Sequence, residues 1–330
     1  MKQHHSWHKR VITASLLFCT LTNAYAVYPL IYNFMENGEV YSLDPTSPSS
    51  EELIATITTS TPGILETNNV SLNSAALDPE TMTFYFVNNA VNPGYARNRL
   101  YSMTLNTGGG VTITSQGLLS FGGTDLGNAK NGAWYDPDGA GSDPGGYYFI
   151  ADGTDDLYRA VFDGGFTVEQ VQTGLTDGVA GGPFNFQFGD IVFDENDNRL
   201  FVSAPESGAQ HDFWVFDTTN ISTGGITYVD SRQLSFSNIA NGLSFDNTTD
   251  TLYGFTQAVG MDPDRVFTIQ QEDGGGIQAG TPLVDLGSYG NASNSAGDMT
   301  LVVYVPEPSV ITLCALGAVS LVCRRKRKSS

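Results

Sequence analysis

Five stretches decide how this chain folds: Asn73-Ser-Ala-Ala-Leu-Asp78, Asn131-Gly-Ala-Trp-Tyr-Asp136, Gly189-Asp-Ile-Val-Phe-Asp194, Asn241-Gly-Leu-Ser-Phe-Asp246 and Gly297-Asp-Met-Thr-Leu-Val302. Each opens on small residues and runs on through apolar ones. Their starts lie 58, 58, 52 and 56 residues apart, and a sustained period of this size marks a repeat architecture rather than one long sandwich. Each of the first four is followed by a turn and a second apolar run: Thr83-Phe-Tyr-Phe-Val87, Gly146-Tyr-Tyr-Phe-Ile150, Arg199-Leu-Phe-Val202 and Thr251-Leu-Tyr-Gly254. A third run then carries an aromatic at Tyr101, Tyr158, Trp214 or Phe267, a series that Tyr41 extends toward the N-terminus. A fourth, more polar run follows, as in Val111-Thr-Ile-Thr114.

Four strands per period is the pattern of a propeller blade. The small residues that open the first strand fit an innermost position, where backbones approach closely around a channel. The two ends complete each other. Gly297 to Tyr304 reads as a first strand with no second, and Tyr28 to Asn33 as a second strand with no first. Joined in one sheet they would close the ring and leave no open edge. The expected fold is therefore all-β, a closed β-propeller of five four-stranded blades over residues 27–304.

Composition agrees. The 37 glycines, with abundant Asn, Asp, Ser and Thr, suit many short strands joined by tight turns. Between Val27 and Ser309 only 7 cations face 35 acids, a net charge of about −28. Such a body lacks the clustered cations that nucleic-acid binding needs, so no nucleic acid is expected as a partner. All three cysteines, Cys19, Cys314 and Cys323, lie near the two ends, and His211 is the one histidine after residue 8. A thiolate site and a His-rich zinc site are thereby excluded from the body, and a catalytic triad would rest on one residue.

Asp136, Asp138 and Asp143 offer clustered oxygen ligands of the kind calcium takes. Yet Asp78, Asp136, Asp194 and Asp246 all stand directly after an inner strand, where Asp caps a turn. Turn chemistry is the expectation there, with calcium a weaker candidate and no other cofactor. The segment from Asp194 to Asn198 begins like an EF-hand loop, but Arg199 stands where that loop needs glycine. Tyr95, Arg97 and His211 fall between second and third strands, and Phe184 and Phe186 precede an inner strand. Together they form a candidate rim for gripping a sugar or a protein surface.

The two ends carry addresses. Lys2, Lys9 and Arg10 precede an apolar run from Val11 to Leu21, and Ala24 and Ala26 form a small-x-small cleavage site. Residues 1–26 thus read as a signal peptide for signal peptidase, with Val27 the mature N-terminus. At the other end Val305-Pro306-Glu307-Pro308-Ser309 is followed by an apolar run over 310–323 and by Arg324-Arg325-Lys326-Arg327-Lys328. Fourteen apolar residues are short for a permanent span, which needs roughly 20. The cationic end resists translocation and stays cytoplasmic. Pro306 and Pro308 keep the motif extended, as a protease recognition site requires.

This order of Pro-Glu-Pro motif, short transmembrane helix and basic end resembles the tails of the PEP-CTERM proteins of Gram-negative bacteria. The likeness rests on residues 305–330, with Pro306, Glu307 and Pro308 matching the motif position by position. It implies recognition by the membrane peptidase exosortase, an inner-membrane intermediate, and final association with exopolysaccharide or biofilm matrix at the cell surface. The expectation for the body is an interaction scaffold without enzymatic activity. The alternative is a secreted calcium-dependent propeller enzyme, lactonase-like or lyase-like, which would need inward-facing carboxylates around the channel, whereas the inner strands read as mainly apolar.

Overall fold

Short apolar alternations bounded by Gly, Asp, Asn and Thr build strands throughout, and the computed structural model holds 24 strands and no helix among the residues it describes. Those residues are 29–65, 70–88, 98–106, 110–127, 129–137, 145–151, 156–175, 189–203, 213–223, 225–232, 240–256, 264–272, 276–278, 283–289 and 298–304. The expected signal helix and C-terminal membrane helix lie outside them. The chain divides into two units, Leu30–Val303 and a second made of Met1–Pro29 with Tyr304–Ser330; the strands below belong to the first, apart from the end residues Pro29 and Tyr304.

Along the chain come β1 (Pro29–Phe34), β2 (Glu39–Asp44) and β3 (Ser47–Thr56), then β4 (Leu72–Asp78), β5 (Thr83–Asn88), β6 (Arg99–Leu105) and β7 (Val111–Leu118). A two-stranded hairpin, β8 (Ser120–Phe121) with β9 (Thr124–Asp125), precedes β10 (Ala129–Tyr135), β11 (Gly146–Ala151), β12 (Leu157–Val161) and β13 (Thr167–Gln172). Next are β14 (Asp190–Asp194), β15 (Arg199–Ser203), β16 (Phe213–Asp217) and β17 (Thr227–Arg232). The last group is β18 (Ala240–Asp246), β19 (Thr251–Thr256), β20 (Asp264–Ile269), a second hairpin of β21 (Gln271–Glu272) and β22 (Gly276–Ile277), and then β23 (Leu283–Tyr289) and β24 (Asp298–Tyr304).

Hydrogen bonding sorts them into five four-stranded blades. Four run in chain order, β4 to β7, β10 to β13, β14 to β17, and β18, β19, β20, β23; the fifth is β24-β1-β2-β3. The blade joining both ends of the ring is thus the one expected from its unpaired first and second strands. A separate hydrophobic cluster fills each of the five interfaces between neighbouring blades, including the one between β18–β23 and the closing blade, so the ring is closed. The third-strand aromatics Tyr101, Tyr158, Trp214 and Phe267 are all buried against the preceding blade.

Two features lay beyond the sequence reading. The hairpins β8–β9 and β21–β22 pack against β13 and β17, fourth strands of adjacent blades, and their residues account for part of the long period. Covering an outer strand in this way also guards against edge-to-edge association. The second feature is in β10. Leu77, Phe193 and Phe245, one residue before the terminal Asp, face the preceding blade, but Tyr135 at the aligned position faces the following one and stacks on Phe193 at 4.3 Å. Trp134 consequently turns to the preceding blade and stacks on Tyr85 at 5.1 Å and 9°. Because side chains alternate with period 2, a one-residue difference exchanges faces.

The closing interface is built differently from the rest. Asn33 pairs with Tyr41 across β1 and β2, the position that Phe86, Phe149 and Val202 hold opposite Tyr101, Tyr158 and Trp214. Its amide is fully buried with no hydrogen-bond partner, as is the hydroxyl of Ser244 on β18. Buried polar groups left unpaired cost about 1–3 kcal/mol each, and this interface carries two such residues among the described ones.

Candidate functional site

Antiparallel order places the first-to-second connections at one end of every blade and the second-to-third connections at the other. The proposed rim residues Tyr95, Arg97, Phe184, Phe186 and His211 lie outside the described residues, as do Asp138, Asp143, Ala24, Ala26, Pro306, Glu307 and Pro308. Asp136 is described and is partly buried at the end of β10. The groups that can be built from their surroundings are therefore the turns after the inner strands and the inner strands themselves.

Three of the four turns share one construction. Asp78 Oδ1 accepts the N–H groups of Glu80 and Thr81 at 3.0 and 3.3 Å, and Oδ2 accepts the Thr81 hydroxyl at 2.6 Å. In the turn after β18, Asp246 Oδ1 accepts Thr248 N–H at 2.9 Å and Oδ2 accepts the hydroxyl of Thr249. Asp194 Oδ1 accepts Asn196 and Asp197 N–H at 2.9 and 3.1 Å. The fifth residue of each turn, Met82, Asn198 or Asp250, takes a positive φ of 54 to 56°, the left-handed step that returns the chain into the second strand. Asp as a turn cap is thus observed at Asp78, Asp194 and Asp246. Its sequence signal was the repeat Asp-x-x-Thr, present at Asp78 to Thr81 and at Asp246 to Thr249.

The turn after β14 also joins its neighbours. Glu195 N–H donates to Asn247 Oδ1 at 2.9 Å, and the Asn196 amide donates to the Asn247 carbonyl at 2.6 Å, linking two blades. Burial raises the carboxyl pKa of Glu195, a shift opposed by a backbone hydrogen bond from Asp136 and reinforced by the charges of Asp136, Asp194 and Glu80. Burial likewise raises Asp194, with backbone N–H donors opposing and the charges of Asp197 and Asp250 adding to it. Beside the turn after β4, burial and the Asp78 charge push the Tyr85 phenol up to about 12.

The inner strands are less apolar than expected, and their polar groups serve the ring. Asp190 is fully buried; its Oδ2 accepts Leu243 N–H from the next blade at 2.7 Å and its Oδ1 accepts Ile191 N–H at 2.8 Å. Ser74 donates to the Ala129 carbonyl of the next blade at 2.6 Å, and Tyr147 on that blade donates back to the Ser74 carbonyl at 2.7 Å. A Cβ on Gly132 would stand 2.3 Å from the Tyr147 hydroxyl. Small residues therefore admit a tyrosine as well as a close backbone. Asn131 Oδ1 accepts Ile150 N–H at 3.1 Å. Among the described residues no group of three or more His, Cys, Asp or Glu is placed to hold a metal ion.

No protein-family model matches the chain, and no curated protein matches it in sequence. Similar solved structures include a Lactobacillus plantarum protein, 13% identical, with a TM-score of 0.44 over 82% of this chain and 70% of the other. A Bacteroides thetaiotaomicron protein of unknown function is 14% identical, with a TM-score of 0.43 over 84% of this chain and 65% of its own. The Pseudomonas aeruginosa periplasmic gluconolactonase is 13% identical, with a TM-score of 0.40 over 84% of this chain and 99% of its own.

Proposed function

We propose that this chain is an exported protein whose propeller is a non-enzymatic interaction scaffold, delivered to the cell surface or extracellular matrix by a sorting tail and associated there with exopolysaccharide. The observation that carries the reading is the order of elements in residues 305–330: Pro306-Glu307-Pro308, a 14-residue apolar run from Val310 to Cys323, and five cations from Arg324 to Lys328. An exosortase would read the extended motif while the cations hold the end at the cytoplasmic face. The body supports the scaffold side of the reading. It has no cysteine, its single histidine is His211, and the inner-strand carboxylate of Asp190 is engaged by two backbone donors. A propeller fold alone does not decide between binding and catalysis; the engaged Asp190 carboxylate supports the binding reading.

The test is the N-terminus of the protein recovered from the surface or matrix fraction of the cells that make it. Mass spectrometry is expected to find a chain beginning at Val27. A chain found only in the cytoplasm and still carrying Met1 to Ala26, or one lipidated on Cys19, would overturn the route.

A further inference from the structure

The turns after β4, β14 and β18 differ at one position that matters chemically. In two of them the fourth residue is Thr81 or Thr249, whose hydroxyl satisfies the second oxygen of the capping Asp. In the third it is Asp197, which donates its backbone N–H to Asp194 Oδ1 as Thr81 does to Asp78, so the two backbones correspond. A carboxylate has no hydrogen to give. Asp194 Oδ2 is accordingly left buried with no hydrogen-bond partner, in a residue that is 0% exposed.

We infer that the Asp194–Asp197 pair is a proton-operated clasp: on mild acidification Asp194 takes up one proton from solvent and donates it to the Asp197 carboxylate, restoring the link that a threonine hydroxyl makes in the sister turns. Donor and acceptor are exchanged, and the bond runs between the same two positions. The surroundings favour the proton. Asp197 and Asp250 act on Asp194 by charge, and Asp136, Glu80 and Asp194 itself act on Glu195 next to it. The Tyr135 phenol, which feels Asp194, Glu195 and Asp136, is neutral. Arg199, the cross-strand partner of Asp194, has its guanidinium on Asp217 at 2.8 Å. Asp194 therefore binds its proton more tightly folded than unfolded. The clasp is closed at low pH and opens as pH rises through the folded-state value. Since this turn carries the Glu195 and Asn196 bonds to Asn247, acid would tighten the joint between the β14–β17 blade and the next.

Thermal unfolding of the full chain in mild detergent at pH 7.5 and 5.0 tests this with three variants. Asp197→Thr supplies the missing hydroxyl and is expected to raise Tm at pH 7.5 by about 2–4 °C, the shift of one ordinary hydrogen bond in a chain of this class, and to shrink the gain on acidification. Asp197→Ala removes the same charge without a hydroxyl and should fall short of Asp197→Thr at pH 7.5. Thr249→Asp copies the pair into the next blade and should lower Tm at pH 7.5 by a similar amount while enlarging the gain at pH 5.0. Equal Tm values for the Thr and Ala variants at both pH values would overturn the inference. So would a Thr249→Asp chain with the wild-type pH response, or a wild-type stabilisation through Asp197 that follows added calcium instead of acid.

Discussion

Deleting Asp298–Tyr304 from the chain is expected to abolish cooperative unfolding and leave a body that proteases cut freely at 25 °C. The segment is the inner strand of the closing blade, hydrogen-bonded to β1. Without it the blade keeps three strands, β1 presents an unpaired edge, and the inner wall of one interface is gone. Its neighbouring cluster, Ile31, Leu43, Tyr253, Phe255, Val266 and Tyr289, is the one flanked by the unpartnered amide of Asn33 and hydroxyl of Ser244. An open propeller also exposes strand edges that template association, so aggregation should accompany the loss. Protease resistance and a single sharp transition retained by the deletion variant would show that closure by the C-terminal strand is not what holds the ring.

Asp190→Ala is expected to cost about 2–6 kcal/mol of stability, the sum for two buried N–H donors left without acceptors at about 1–3 kcal/mol each. The two donors are Ile191 on its own strand and Leu243 on the next blade. At about 2–4 °C per kcal/mol for chains of roughly this size, the melting temperature should fall by on the order of 10 °C. Denaturant unfolding measures it directly. A change below about 0.5 kcal/mol, the usual range of an exposed substitution, would mean that the carboxylate is not the bridge between the two blades.

The blades were legible because their signal is local and repeated. A small-residue opening, an Asp-capped turn and a third-strand aromatic recur in register, so each copy corrects the reading of the others, and the five inner strands appear where the motif places them. The exchange of faces at Tyr135 was not legible. It depends on how β10 pairs with β11 across a longer connection, and the alignment of the motif carries no register. Asp190 was missed because it sits in the slot held by Gly132 and Gly242 in two other blades, where a close-approach residue was the natural reading. Its role appears only when the neighbouring backbone N–H of Leu243 is placed. The Asp194–Asp197 pair lay within a segment compared with an EF-hand, and its chemistry emerged from the sister turns rather than from that comparison.

The proposed sorting role of residues 305–330 is the centre of the functional account, and one measurement addresses it most directly. Replacing Pro306, Glu307 and Pro308 together by alanine and following the chain by cell fractionation and intact mass separates recognition from topology, because the cations Arg324 to Lys328 remain in place. The account predicts a body that is exported but unprocessed and held in the inner membrane, while the parent chain reaches the surface or matrix. Processing and release of the alanine variant at the parental level would contradict the account and reduce residues 305–330 to a simple anchor.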